Sequence, residues 1–155
     1  MNLEPRTSNR GITLVELLVV MAIIGLIVGI SVPALTGYAN SLRLKTTIRQ
    51  VTSLISFARS MAISSHEDLA VVIDADEAAI TLVRQASGEP LEQKVRLPPA
   101  VTVELLVGGQ PAQEGQFVFR PTGALVGRTI SLVLANQNKR HTITVTGTTG
   151  AVSVQ

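Results

Sequence analysis

The chain has no cysteine, no tryptophan, one tyrosine and three phenylalanines among its 155 residues. Without Cys there can be no disulfide, no thiolate metal site and no Cys nucleophile. This leaves the compartment open, because exported proteins can also lack disulfides. With aromatics at 3%, stacking platforms for single-stranded nucleic acid are not expected. Charge is scarce too, at 15% of residues against about 25% in average soluble domains. Thirteen bases and 11 acids leave a formal charge of +2, too small to imply nucleic-acid binding by bulk charge. Low charge together with 46% apolar residues excludes intrinsic disorder. The length suits one domain, or a small domain with an appendage.

The apolar residues are unevenly spread. Between Arg10 and Arg43 the only charged residue is Glu16, and Leu17 to Val32 reads LLVVMAIIGLIVGISV. From Ile12 to Val32 a helix would measure about 31 Å, close to the hydrocarbon thickness of a bilayer. The preceding residues carry Arg6 and Arg10 against Glu4. A positive flank of this kind predicts a cytoplasmic N-terminus, with the remainder of the chain outside the inner membrane. A cleaved secretory signal is a poor match, because no A-x-A-like site follows the run. A plain anchor or a buried core helix leaves Glu16 unexplained.

A carboxylate near the middle of a spanning helix costs roughly 2.5–3.5 kcal/mol, and less near the interface, so it is expected to be paired. Cleavage after Gly11 would give Ile12 an α-amino cation close to the depth of Glu16. Within one helix the two groups can approach across one turn. Between staggered helices of two subunits the same pairing would set the register. Gly25-Leu26-Ile27-Val28-Gly29 adds a G-x-x-x-G. It either permits close helix approach or reflects the ordinary abundance of small residues in spanning helices.

Arg10-Gly11-Ile12-Thr13-Leu14-Val15-Glu16-Leu17 resembles the class III signal of type IV prepilins and type II secretion pseudopilins. The resemblance implies that a prepilin peptidase cuts between Gly11 and Ile12 and N-methylates Ile12. It also implies that Glu16 is the assembly glutamate and Pro33 the helix-kinking proline. Ile12 departs from the phenylalanine usual at the mature first position. Later segments narrow the likeness to H-type pseudopilins and FimT-like minor pilins. They are Phe57-Ala58-Arg59-Ser60-Met61-Ala62-Ile63, Phe119-Arg120-Pro121-Thr122-Gly123 and the closing Thr146–Val154 turn and strand.

The expected fold is α+β and pilin-like: a long N-terminal helix, its first half spanning the membrane, packed on a C-terminal antiparallel sheet or small β-sandwich. The expected domains are a leader at 1–11, an assembly helix at 12–37 and a periplasmic head at 38–155. Ile48, Val51, Ile55, Ala58 and Ala62 form a helical stripe, which predicts helix to about Ser64. From Leu69 onward, short β-type runs separated by turns predict seven or eight strands. These are Leu69–Ile73, Ala79–Arg84, Val95–Leu97, Val101–Val107, Gln116–Arg120, Thr129–Leu134, His141–Val145 and Ala151–Val154.

No catalytic or metal constellation is expected, and no cofactor. His66-Glu67-Asp68 lacks the H-E-x-x-H spacing for zinc. Asp74, Asp76 and Glu77 lack the glycine and distal glutamate of a calcium loop and read as a hairpin turn. His141 lies far from His66 in sequence. The chain reads as a non-enzyme.

The resemblance implies a minor pseudopilin at or near the tip of a type II secretion pseudopilus. Its implied partners are prepilin peptidase, sibling pseudopilins and the inner membrane. The alternative is a FimT-like minor type IV pilin that receives DNA in transformation, with Arg120, Arg128, Lys139 and Arg140 as a small basic patch. Against it, no Lys or Arg follows Arg140. Removal of Arg6, Arg10 and Glu4 with the leader would leave 11 bases and 10 acids, so nucleic acid is not the expected partner.

Overall fold

The computed structural model describes residues 12–112, 115–137 and 139–155, apart from the side chains of 32–36. Gly11 and the Pro33 side chain lie outside the described residues. One helix, α1, covers Leu14–Ser65. The chain divides into two compact units, Met1–Tyr38 and Ala39–Gln155, each described by itself below.

In the second unit the helix ends where His66 adopts a left-handed backbone, φ 59°, a conformation common just past helix C-termini. Nine strands follow among the described residues: β1 Leu69–Asp74, β2 Ala79–Arg84, β3 Pro90–Arg96, β4 Thr102–Val107, β5 Gln110–Pro111, β6 Gln116–Phe119, β7 Ile130–Ala135, β8 Arg140–Val145 and β9 Val152–Val154. They form two antiparallel sheets, β3-β2-β1-β6 and β5-β4-β7-β8-β9. The chain crosses between sheets after β3, through Leu97-Pro98-Pro99. It returns to the first sheet at β6 and to the second at β7.

The expected α+β architecture is therefore present, and the β part is two sheets. The helical stripe lies inside: Val51, Ile55, Ala58 and Ala62 are fully buried and Ile48 nearly so. Leu44 and Leu54 extend it. Alternate strand residues meet this stripe from both sheets, as the period-2 geometry of a strand requires. Leu69, Val71, Ile80, Leu82 and Phe119 come from the first sheet, and Leu105, Leu132, Leu134, Ile143 and Val145 from the second. Phe117 and Phe119 pack edge to face with centroids 6.0 Å apart, a favourable aromatic geometry. Helix and sheets thus share one core.

Two strand expectations differ from the structure. β3 starts at Pro90, well before Val95, and β5 lies in a stretch that reads as turn. β3 is an edge strand and mostly exposed, so no alternation marks it. β5 has two residues and exists through the pairs Leu106↔Pro111 and Val107↔Gln110.

Candidate functional site

In the first unit, every described residue from Ile12 to Ser31 is exposed, including large apolar side chains such as Leu14, at 79%. Leu14–Ser31 is long and apolar enough to cross a membrane. Thr13 starts the helix. Its Oγ1 accepts the Glu16 N–H over 3.2 Å, and its carbonyl accepts the Leu17 N–H over 3.2 Å. Thr13-Leu14-Val15-Glu16 has the spacing of a capping box, a signal the family motif conceals. The acid sits in the first helical turn, where the helix dipole favours negative charge. No protein group pairs with the Glu16 carboxylate among the described residues. Ile12, Glu16, Leu17 and Val20 border one hollow of about 240 Å³, which places Ile12 and the carboxylate on one side of the helix start. At Gly25 and Gly29 an added Cβ would meet nothing within 4 Å. That face is open in the single chain.

In the second unit, three motifs distant in sequence meet. Arg59 Nε donates to the Gly123 carbonyl over 3.2 Å. Gly150 closes against the same carbonyl, and a Cβ there would lie 1.9 Å from it. The Arg59 helix segment, the Pro121-Thr122-Gly123 turn and the Thr146–Gly150 turn are therefore parts of one junction.

The histidine and acid clusters have structural work. Glu67 pairs with Arg84 at 3.4 Å, and the Asp68 carbonyl accepts the Gln85 N–H over 3.0 Å. Asp74 Oδ1 accepts the Glu77 N–H over 2.9 Å, closing the β1–β2 turn, and Glu77 pairs with Lys94. Among the described residues no group of three His, Asp or Glu side chains is arranged to hold a metal.

The four bases of the DNA reading do not form one patch. Arg128 precedes β7 and its side chain passes Gly108, while Lys139 and Arg140 follow β7 at its other end. The register Ile130↔Val145 and Ala135↔Arg140 fixes this separation, and six strand residues span about 20 Å. Arg120 belongs to the Gly123 turn, donating its backbone N–H to Ala124. Lys45, Arg49 and His141 flank a groove of about 520 Å³ beside Val154. A second groove, about 790 Å³, runs between Arg49, Ser53 and Phe57 on the helix and Lys94, Val95 and Arg96 on β3. Sequence reading missed this grouping. Lys45 and Arg49 are visible in the sequence, but their neighbours come from β3, about 45 residues away, and from His141 on β8, about 90 residues away, separations that only the tertiary path closes.

No curated protein matches this chain by sequence. Among solved structures, the minor pseudopilin EpsH from the type 2 secretion system of Vibrio cholerae is similar with a TM-score of 0.59 at 14% identity, over 73% of this chain and 96% of that one. The type IV minor pilin FimU of Pseudomonas aeruginosa is similar with a TM-score of 0.58 at 15% identity, over 72% of this chain and 87% of that one. Both likenesses are of fold. The prokaryotic N-terminal methylation motif matches residues 6–32. The family described as type II transport protein GspH matches residues 47–149, most of the chain, and the chain belongs to that family of structural, non-enzymatic pilin-like subunits.

Proposed function

We propose that the protein is a minor pseudopilin of a type II secretion system, processed between Gly11 and Ile12, methylated at Ile12 and assembled near the pseudopilus tip. It waits in the inner membrane with its N-terminus cytoplasmic and its head periplasmic. Prepilin peptidase processes it, and sibling pseudopilins are its assembly partners. The observation that carries this reading is the exposed helix start. Apolar side chains from Ile12 to Ser31 lack any protein cover, and a single unpaired carboxylate lies beside the terminus that cleavage would create. Such a surface is stable in lipid or against identical surfaces, and its acid gives neighbouring helices a stagger to adopt. Gly25 and Gly29 add a flat strip for close approach.

Processing is the direct test. Gly11→Ala, or a larger residue, should block cleavage in cells carrying prepilin peptidase, leaving the protein at its precursor mass. A normal mature mass from the variant would overturn the leader assignment. The DNA-receptor alternative loses support from the separation of Arg128 from Lys139 and Arg140. No mobility shift of a DNA duplex at low salt, where phosphate contacts are strongest, would remove it.

A further inference from the structure

Bases gather at the end of the head unit where its chain begins. Arg43 and Lys45 are exposed on the first turns of that unit's helix. The β7–β8 turn comes back to the same place, where Asn136 Nδ2 donates to the Asn40 carbonyl over 3.3 Å. That turn delivers Lys139 and Arg140, both exposed. Its shape depends on Asn136, whose Oδ1 accepts the Lys139 N–H over 2.8 Å, and the basic side chains take no part in it. The ion pairs among the described residues are Arg84–Glu67, Arg84–Glu89 and Lys94–Glu77, and none engages these four bases. From Leu17 to His66 the sequence holds no Asp or Glu. The strands of the second sheet carry one acid, Glu104, opposite Val133.

This charge lies on the unusual side of an apolar segment. Loops outside the cytoplasm are ordinarily poor in Lys and Arg near a span, yet Arg43 is the first charge after Glu16. Along the sequence, only uncharged residues lie between the apolar run and Arg43.

We propose that Arg43, Lys45, Lys139 and Arg140 dock the head on anionic phospholipid headgroups of the membrane that holds the apolar segment. The proposal rests on the reading that this segment spans the membrane. Tethering then supplies headgroups at high effective concentration, whereas DNA must be met by diffusion. Each base near an anionic surface contributes on the order of fivefold to attraction, and the contact must break when a subunit is lifted into a filament.

Because the chain has no Cys, one introduced Cys takes a unique label. Full-length Gln137→Cys protein carrying a donor fluorophore is reconstituted in phosphatidylcholine vesicles, and in vesicles with about one-third phosphatidylglycerol, each with a trace acceptor lipid. Energy transfer should at least double in the anionic vesicles and fall to the neutral-vesicle level at 1 M salt, where the Debye length is about 3 Å. Combining Lys45→Gln, Lys139→Gln and Arg140→Gln should abolish the excess at unchanged circular dichroism, and Lys45→Arg with Lys139→Arg should keep it. A label at Ser87→Cys, in the β2–β3 turn, should show no excess. Equal transfer in the two vesicle types, or an excess that survives neutralisation, overturns the proposal. Carbonate extraction scores the span separately: released protein removes the spanning reading, and retained protein with equal transfer removes the headgroup contact alone. Loss of the excess to inorganic phosphate at matched ionic strength would show a free-anion site instead. A DNA duplex binding through the same bases in neutral vesicles would assign the patch to nucleic acid, and either result overturns the lipid contact.

Discussion

Arg59 on the helix donates its Nε–H to the Gly123 carbonyl over 3.2 Å, and Gly150 stands against that same oxygen. The donor is part-buried and charged, a class of hydrogen bond stronger than a neutral one. Gly150 has φ +64°, and its missing Cβ is what lets the carbonyl approach. Gly123 has φ +79°, and a Cβ there would lie 2.8 Å from Ile63 Cδ1. The two glycines differ in what they face: rigid backbone at Gly150, the end of a flexible side chain at Gly123.

Gly150→Ala should therefore be the more damaging substitution. Left-handed backbone costs a non-glycine residue about 1–2 kcal/mol, and the clash with the Gly123 carbonyl adds to it. A loss above about 2 kcal/mol corresponds to a Tm fall of roughly 5 °C or more for a domain of this size. Gly123→Ala should lower Tm less, because Ile63 can move. Arg59→Ala should cost about 1–3 kcal/mol through the lost charged hydrogen bond. Thermal unfolding of the three variants checks the order, and an unchanged Tm for Gly150→Ala would sink the junction.

The core makes a second prediction through two phenylalanines. Phe119 is fully buried between helix and sheets, whereas Phe57 is 41% exposed beside the groove at β3. Phe119→Ala should cost about 3–5 kcal/mol as transfer and cavity terms combine. Phe57→Ala should cost under about 1 kcal/mol, as most surface substitutions do. Denaturant titration of the two variants separates them, and equal midpoints would mean that Phe119 is not a core residue.

The surface ion pairs predict the opposite, a near absence of effect. Arg84 bridges Glu67 at 3.4 Å and Glu89 at 3.3 Å, with all three side chains at least 40% exposed. Exposed pairs contribute at most about 1 kcal/mol and weaken with salt. Glu89→Gln should leave the urea midpoint within error, since Glu67 still faces Arg84. A loss of several kcal/mol would show that the β2–β3 turn is held by charge rather than by its Arg84–Glu89 and Gly88–Arg84 main-chain bonds.

What the sequence shows and what it hides follow from locality. The stripe Ile48, Val51, Ile55, Ala58, Ala62 is legible because helix period and burial are local consequences of one another. Ala79–Arg84 is legible as a strand because turn residues bracket it. β3 is legible only at its end, as Val95–Leu97, because an exposed edge strand has little buried face to impose alternation on Pro90–Lys94. The junction at Arg59 appears in sequence as three unrelated weak motifs, since only the tertiary path brings Gly123 and Gly150 to the helix. Four arginines and lysines read as one basic patch are parted by the length of β7, and it is His141 that meets the helix bases Lys45 and Arg49 at a groove. Glu16 stands out by charge alone, but its capping-box spacing from Thr13 is masked by the louder family motif.

That spacing gives Glu16 two competing explanations, and they separate by experiment. If Glu16 only supports the helix start, its loss should cost about a kcal/mol of helix stability and Glu16→Gln should replace it, because glutamine also completes a capping box. If its charge pairs with the amino group of Ile12 on a neighbouring subunit, Gln should fail as fully as Val. The pairing account therefore expects both Glu16→Val and Glu16→Gln to be processed to the mature mass and held in the membrane, yet excluded from filaments. A cation at the same depth should do worse, so Glu16→Lys should also be excluded. Cross-linking between introduced single cysteines on neighbouring subunits reads incorporation directly in this cysteine-free chain. Wild-type cross-linking by Glu16→Gln would leave the glutamate as a cap and remove its role in setting the stagger.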